Sequence, residues 1–247
     1  QKSMDFFAGH PVFSLDEAVA ALAADGERSR VLGRLKYHLK TGRLKRVTRE
    51  VYAVVPPGGP FYNLKIDPFL VARAMHPDCV FSHHSALELL GAAYSVWNQC
   101  TVYVAGRHRP LRLDGATVRF LDSPASMQSG AGQQLGTRKV EHQGLLLNTT
   151  GPERTLVDGF NRPALTGGLE ELVRSAAGFT TLDLGLLEEV LRRYGLARLW
   201  AATGWFLEMF QKSFHVPNDL LVRMEKNRPQ SRLYAERTQR GGKLARR

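Results

Sequence analysis

The first 55 residues alternate between apolar stripes with a helical period and short apolar runs with a strand period. Ser14 and Glu17 form the capping-box pattern that starts a helix, and Gly42 is placed to end a later one. The predicted elements are helices at residues 3–9, 14–24 and 29–41, an extended segment at residues 11–13, and strands at residues 44–47 and 51–55. This order of elements is that of a winged helix-turn-helix.

The Pro and Gly run at residues 56–60 separates this region from the rest of the chain. Beyond it the pattern predicts helices at residues 68–75, 82–91, 152–160, 168–177, 183–194, 196–212 and 217–227, strands at 79–81 and 101–104, hairpins at 112–121 and 137–149, and a loop at 123–136. We therefore predict an α/β (α+β) protein. A winged helix-turn-helix covers residues 1–56, a linker covers 57–60, and a mixed α/β domain, rich in helices toward its C-terminus, covers 61–247.

Positive charge is concentrated in two stretches of a chain whose formal net charge is +11. Residues 28–49 hold nine Lys or Arg and no Asp or Glu, and residues 223–247 hold nine basic and two acidic residues. The remainder, with sixteen basic and twenty-one acidic residues, is net negative. A polyanionic partner is therefore expected at the first stretch. For the second stretch, a nucleic-acid surface and a solvated tail remain equal alternatives.

The helix at residues 29–41 has an apolar side and a basic side. Val31, Leu32, Leu35 and Leu39 form the apolar stripe that packs on the preceding helix. Gly33 lies on the other side, where an interior glycine costs about 1 kcal/mol relative to alanine. That loss is easier to accept where the backbone must come close to a partner.

In the docking geometry of winged helices, this helix enters the major groove and the hairpin contacts the DNA backbone. We expect Arg30, Arg34 and Tyr37 to reach base edges, and the remaining basic residues to hold phosphates. The predicted DNA-binding residues are Arg28, Arg30, Arg34, Lys36, Tyr37, Lys40, Arg43, Lys45, Arg46 and Arg49. The alternatives are a solvated basic face, or a surface for acidic lipid or an acidic protein.

Three segments resemble one known family. GRLKRVTREVYAV resembles the wing of the AbiE-type abortive-infection antitoxins, the AbiEi family, although Glu50 occupies a position where that family usually has glycine. FSHHSALELLGA and PERTLVDGFNRPALTGGLEELV resemble the second domain of the same family, and the latter is the most specific match. The segments occur in the family's order over most of the chain. The family pattern usually continues past this C-terminus with another strand, so the second domain is expected to be incomplete here.

The resemblance implies a DNA-binding antitoxin of a type IV toxin-antitoxin pair. Its winged helix would bind inverted repeats in double-stranded promoter DNA and repress its own operon. Its second domain would counteract a nucleotidyltransferase toxin, in many cases without a stable complex. The residues alone predict DNA binding, and the link to a toxin comes only from the family.

The chain also contains residues of the types found in metal-binding and catalytic sites. His76, Cys79, His83 and His84 do not have a recognised zinc spacing, so we predict helix-capping and surface histidines and no metal or other cofactor. Arg154 and Asp158, four residues apart on a predicted helix, favour a structural ion pair over a catalytic cluster. Asp219, Glu225 and Lys226 are too loosely arranged for a magnesium nuclease. We therefore predict no enzyme, with a DNA-processing enzyme and direct sequestration of the toxin as alternatives.

Cysteine content and hydropathy bear on the compartment. Cys79 and Cys100 are too few for a disulfide framework, which is typical of a reducing cytoplasm. No signal peptide is evident, and no apolar run is long enough to cross a bilayer. We expect a cytoplasmic protein with no membrane partner.

Overall fold

The computed structural model describes residues 2–23, 27–59 and 64–230. The helices are α1 Lys2–Gly9, α2 Leu15–Leu22, α3 Arg28–Lys40, α4 Pro68–Met75, α5 His83–Leu89, α6 Pro152–Asn161, α7 Leu169–Ala176, α8 Leu184–Tyr194, α9 Ala197–Met209 and α10 Asn218–Lys226. The strands are β1 Val12–Ser14, β2 Leu44–Arg46, β3 Val51–Val54, β4 Val80–Phe81, β5 Gln99–Tyr103, β6 Leu111–Leu113, β7 Ala116–Leu121, β8 Thr137–His142 and β9 Leu145–Thr150. These elements confirm the predicted α+β class.

The chain divides into two compact units. The N-terminal unit comprises Gln1–Cys79, Asn98–Cys100 and Arg109–Arg119, and the C-terminal unit comprises Val80–Trp97, Thr101–His108 and Phe120–Arg247. The linker predicted at residues 57–60 stays a prediction, because residues 60–63 lie outside the described ranges. The basic stretch at residues 231–247 also lies outside them.

The first six elements of the N-terminal unit form a winged helix. They run in the order α1, β1, α2, α3, β2, β3, and the three strands form an antiparallel sheet in the order β1-β3-β2. Phe13 lies opposite Tyr52, and Lys45 lies opposite Ala53. The hairpin of β2 and β3 is therefore the wing, and α3 is the helix that precedes it.

Local sequence accounts for these elements. The Ser14 hydroxyl accepts from the Glu17 amide at 3.1 Å and the Glu17 carboxylate accepts from the Ser14 amide at 2.8 Å, which confirms the capping box that starts α2. Gly42 follows α3 with a φ of 71°, a conformation that glycine adopts without strain. Phe13, Leu35 and Leu44 are fully buried where the helices pack on the sheet.

A second sheet has six strands in the order β6-β7-β5-β4-β9-β8. Strand β4 pairs antiparallel with β5 and parallel with β9. The predicted hairpins of β6 with β7 and of β8 with β9 are confirmed. The loop predicted at residues 123–136 contains two short 3-10 turns, and Met127 within it is fully buried.

The apolar core of the C-terminal unit lies among helices α6 to α10. Leu156, Leu172, Leu187 and Phe206 are fully buried there. Helices α6 and α7 approach closely at Gly159, where an added Cβ would lie 2.5 Å from a Leu172 methyl carbon. The predicted helices from residue 152 onward are thus confirmed, with ends that differ by a few residues at most. Across the described ranges, every helix is too short or too polar to cross a membrane.

Candidate nucleic-acid interface

Helix α3 buries one side and exposes the other, as predicted. Val31 and Leu35 are buried and Leu32 and Leu39 are half-buried. His38 completes the buried side, which the sequence pattern had missed. Its ring contacts Phe7 edge to face, with centroids 5.0 Å apart. Burial, and next the Arg43 guanidinium, lower the pKa of the His38 imidazole, so it contributes packing rather than charge at neutral pH.

The outward side of α3 has a glycine, Gly33, surrounded by exposed basic side chains. An added Cβ at Gly33 would meet no atom within 4 Å. Tyr37, one turn later, is 59% exposed. Arg30, Arg34, Lys36 and Lys40 are all exposed. The face therefore offers cations and one aromatic ring around a point where the helix backbone itself is accessible.

Two arginines of this face have partners within the molecule. The Arg30 Nε lies 2.5 Å from a Glu27 carboxylate oxygen, at the start of the helix. The Arg34 guanidinium donates a long hydrogen bond of 3.5 Å to the Leu22 carbonyl. No hydrogen bond or ion pair joins Lys36 or Lys40 to another side chain within the described ranges. Lys36 and Lys40 are thus the basic residues of α3 that are most available to a ligand.

Arg28 lies in a different environment from the other predicted DNA-binding residues. Position 28 is two helical turns before the buried Leu35, so its side chain leaves from the inner side of α3. Its guanidinium contacts Asp16 at 2.7 Å and Glu50 at 3.4 Å. Arg28 therefore joins α3 to the start of α2 and to the turn of the wing. The Glu50 carboxylate, unusual for the resembled family, finds its counter-charge here.

The wing contributes four basic residues, which differ in exposure and in hydrogen bonding. The Arg46 guanidinium folds back on its own turn, with its Nε and Nη2 donating to the carbonyls of Thr48 at 3.2 Å and Arg49 at 2.6 Å. Lys45 is half-buried on β2. Arg43 and Arg49 are exposed. The wing tip is thus ordered by Arg46 while Arg43 and Arg49 point their charge outward.

The C-terminal unit holds a buried polar cluster around Arg154. The Arg154 Nη1 donates to the carbonyls of Leu135 at 3.0 Å and Gln133 at 3.3 Å, and its Nε lies 3.9 Å from the Asp158 carboxylate. This confirms the predicted ion pair of residues 154 and 158. Asp158 also accepts from the Tyr194 hydroxyl. Burial raises the pKa of Asp158, and the Arg154 guanidinium and the tyrosine hydroxyl offset part of that rise.

His83 and His84 are fully buried, so the prediction of surface histidines at these positions was wrong. The His83 Nδ1 lies 2.9 Å from the Ser82 hydroxyl, which therefore does not cap α5 through its side chain as expected. Burial, then the Arg162 and Arg154 guanidinium groups, lower the pKa of His83 to about 3. His84 stacks on Trp97 and contacts Glu88 at 2.9 Å. Both histidines are packed in the interior, and each makes one internal hydrogen bond through its Nδ1.

The described part of the chain offers few residues for a metal site or a nuclease site. No three His, Cys, Asp or Glu side chains there are arranged to hold a metal ion. The carboxylates weighed for magnesium are paired with arginines: Asp219 with Arg223 at 2.5 Å and Glu225 with Arg228 at 3.2 Å. A groove of about 260 Å³ is lined mainly by apolar residues of α9 and α10.

The first six elements of the N-terminal unit thus form a winged helix with a basic outward face. No protein-family model matches the chain, and no curated protein sequence matches it. Among solved structures, it is similar to the crystal structure of the RV2827C protein from Mycobacterium tuberculosis. The TM-score is 0.56 at 17% sequence identity, over 93% of this chain and 81% of that chain. At this identity the likeness shows a shared fold alone, and the AbiEi resemblance stays a prediction.

Proposed function

We propose that the protein is a DNA-binding antitoxin and transcriptional autorepressor of a type IV toxin-antitoxin operon. The observation that supports DNA binding is the outward face of α3, where exposed basic residues surround Gly33 next to an ordered wing. Cationic side chains at the end and flank of such a helix neutralise phosphates, while arginine and tyrosine side chains on its front contact base edges. The proposed ligand is promoter DNA with inverted repeats.

Antitoxin activity against a nucleotidyltransferase toxin rests on the sequence resemblance alone. Segments 81–92 and 152–173 of the C-terminal unit carry that resemblance, and they form the end of β4, α5, α6 and the start of α7. Cytoplasmic action follows from this proposal. Co-expression with a candidate nucleotidyltransferase toxin tests this half: rescue of growth supports it, and continued toxicity at equal expression contradicts it. A stable complex on size exclusion would instead favour direct sequestration.

Two substitutions in α3 test DNA binding and distinguish a contact to base edges from a contact to phosphates. Fluorescence anisotropy would compare a duplex from the upstream promoter with an unrelated duplex of the same length. Arg34→Gln should reduce the preference for the promoter by about 5- to 150-fold, the value of 1–3 kcal/mol for a lost base contact. Lys40→Gln should weaken both duplexes alike and flatten the salt dependence by about one phosphate contact.

A matched control removes charge elsewhere. Arg138→Gln with Lys139→Gln neutralises two exposed positions on β8, and it should leave both affinities unchanged. Wild-type protein that binds neither duplex at low salt would refute DNA binding. Equal losses for the α3 variants and the β8 control would refute the assignment of α3 as the interface.

A further inference from the structure

A second set of arginines lies on the hairpin of β6 and β7 and the segment before it. Arg107, Arg109, Arg112 and Arg119 are all exposed. Within the described ranges, none of the four makes a hydrogen bond or ion pair with another side chain. The stretch at residues 107–119 contains a single acidic residue, Asp114, at the hairpin turn. These arginines lie outside the two basic stretches at residues 28–49 and 223–247, in the part of the chain that is net negative.

The strand register places two of these arginines on one face. Arg112 lies opposite Thr117, and Arg119 is two residues further along β7, so all three side chains point to the same side of the hairpin. Leu111 and Val118, which lie opposite each other, face the other way, and Val118 is fully buried. Diagonal neighbours of this kind are about 7–8 Å apart. Two guanidinium groups therefore share one exposed face of the hairpin.

Protection of a sheet edge accounts for only one of the two. Charged side chains on an edge strand prevent pairing with other chains, and β6 is an edge strand. That reason fits Arg112. It does not fit Arg119, because β7 is paired on both sides, with β6 and with β5. A second cation on the same face is better explained by an anionic ligand.

The hairpin also belongs to the unit that contains the winged helix. Arg109–Arg119 is grouped with Gln1–Cys79 in the N-terminal unit. A phosphate backbone offers repeated anions that guanidinium groups bind in bidentate fashion. Since the winged helix of the same unit presents the surface proposed for a duplex, DNA is favoured here over an acidic protein.

We propose that Arg112 and Arg119 form a second DNA contact that binds phosphates of the duplex held by α3. The contact holds the backbone and reads no sequence. This inference rests on the proposed DNA binding, and it adds a surface outside the winged helix to that function.

The test is the salt dependence of DNA binding by the full chain carrying Arg112→Gln and Arg119→Gln. Each lost phosphate contact reduces the slope of log affinity against log salt by about 0.9. Between 50 and 200 mM salt, wild-type protein should therefore lose about tenfold more affinity for the promoter duplex than the variant loses. The ratio of promoter to unrelated duplex should not change.

Two controls make the result specific. The β8 pair Arg138→Gln and Lys139→Gln removes the same formal charge and should keep the wild-type slope. Arg119→Gln alone should reduce the slope by about half as much as the double variant. Because this variant keeps Arg112 on the edge strand, its result does not depend on any association of the hairpin caused by loss of Arg112. A slope unchanged in both hairpin variants, or reduced equally in the β8 control, would overturn the second contact.

The outcomes also separate this inference from the proposed function. An unchanged slope in the hairpin variants, together with weakened binding in Lys40→Gln, would reject the hairpin contact and leave α3 as the interface. Normal DNA binding with lost neutralisation of the toxin in the hairpin variants would reject it in favour of an acidic protein partner. Absence of DNA binding by wild-type protein would reject both.

Discussion

The arginines of α3 and the arginine at the centre of the C-terminal unit show opposite uses of one side chain. Arg34 is exposed, and its one hydrogen bond, to the Leu22 carbonyl, is long. Arg154 is 1% exposed and its guanidinium is held by backbone carbonyls and by Asp158. A buried cation must be paired because its desolvation is expensive, whereas an exposed one is free to exchange water for a phosphate. The partner of each guanidinium, rather than the number of arginines, thus indicates where a ligand binds.

Replacing the buried arginine should have the largest effect on stability. Arg154→Met leaves Asp158 buried without its counter-charge, and we expect the free energy of unfolding to fall by about 3–5 kcal/mol. Urea denaturation measures this. Arg174→Met, at an exposed arginine that pairs with Glu170 at 2.6 Å, is the control and should change the free energy of unfolding far less. Similar losses for the two variants would remove the contrast between buried and exposed arginines.

Acidification should weaken the C-terminal unit through His83. Because its pKa is about 3 in the folded protein and 6.5 in the unfolded chain, the unfolded state binds the extra proton between these values. Above pH 6.5 His83 is neutral in both states and does not lower the free energy of unfolding. As the pH falls from 6.5 toward 3, the free energy of unfolding decreases by about 1.4 kcal/mol per pH unit.

His83→Asn tests that slope, since asparagine tolerates the left-handed backbone of this residue, whose φ is 54°. Between pH 6.5 and 4.5 the variant should lose about 2–3 kcal/mol less than wild-type protein. Urea denaturation at several pH values gives both curves. Parallel curves would show that His83 is not the titrating group.

Adding a methyl group at Gly33 should separate stability from binding. Gly33→Ala meets open space, so the free energy of unfolding should rise by about 1 kcal/mol. Under the proposed function, DNA affinity should fall, because the methyl group would occupy the point where α3 comes closest to the duplex. Gly9→Ala, which also meets no atom within 4 Å, is the control and should leave DNA affinity unchanged. Unaltered DNA affinity in Gly33→Ala would show that no close approach occurs there.

The smallest effect is expected at Arg28. Its exposed ion pairs with Asp16 and Glu50 should contribute about 0.2–1 kcal/mol. Arg28→Gln should nevertheless weaken DNA binding slightly, because it leaves the Glu50 carboxylate without its counter-charge beside the wing. Adding Glu50→Gln should restore much of that loss. A double-mutant cycle by anisotropy measures the coupling, and strictly additive losses would instead make Arg28 a direct DNA contact.

Much of the fold was predictable because its signals are local. The capping box of Ser14 and Glu17, the stop at Gly42 and the stripe of Val31 and Leu35 each lie within one or two helical turns. The environment of Arg28 was not predictable in this way, since its partners are 12 and 22 residues away.

The interior of the C-terminal unit shows the same limit. Spacing predicted that Arg154 pairs with Asp158, but nothing local indicated that both are buried. His83 and His84 were expected at the surface because adjacent polar residues usually lie there. Their burial depends on the strands and helices that surround α5. Of the candidate interface, α3 followed from periodicity, whereas the hairpin arginines required strand register.

Glu17 has a consequence for any shortened form of this protein. Its carboxylate caps α2 and also pairs with Arg73 of α4, and α4 packs against β1 and β3. A fragment ending at residue 59 would keep all three strands of the winged helix but lose this support, and it would uncover the sheet surface that α4 protects. Expression of the DNA-binding half by itself should therefore retain α4 and extend to at least residue 79.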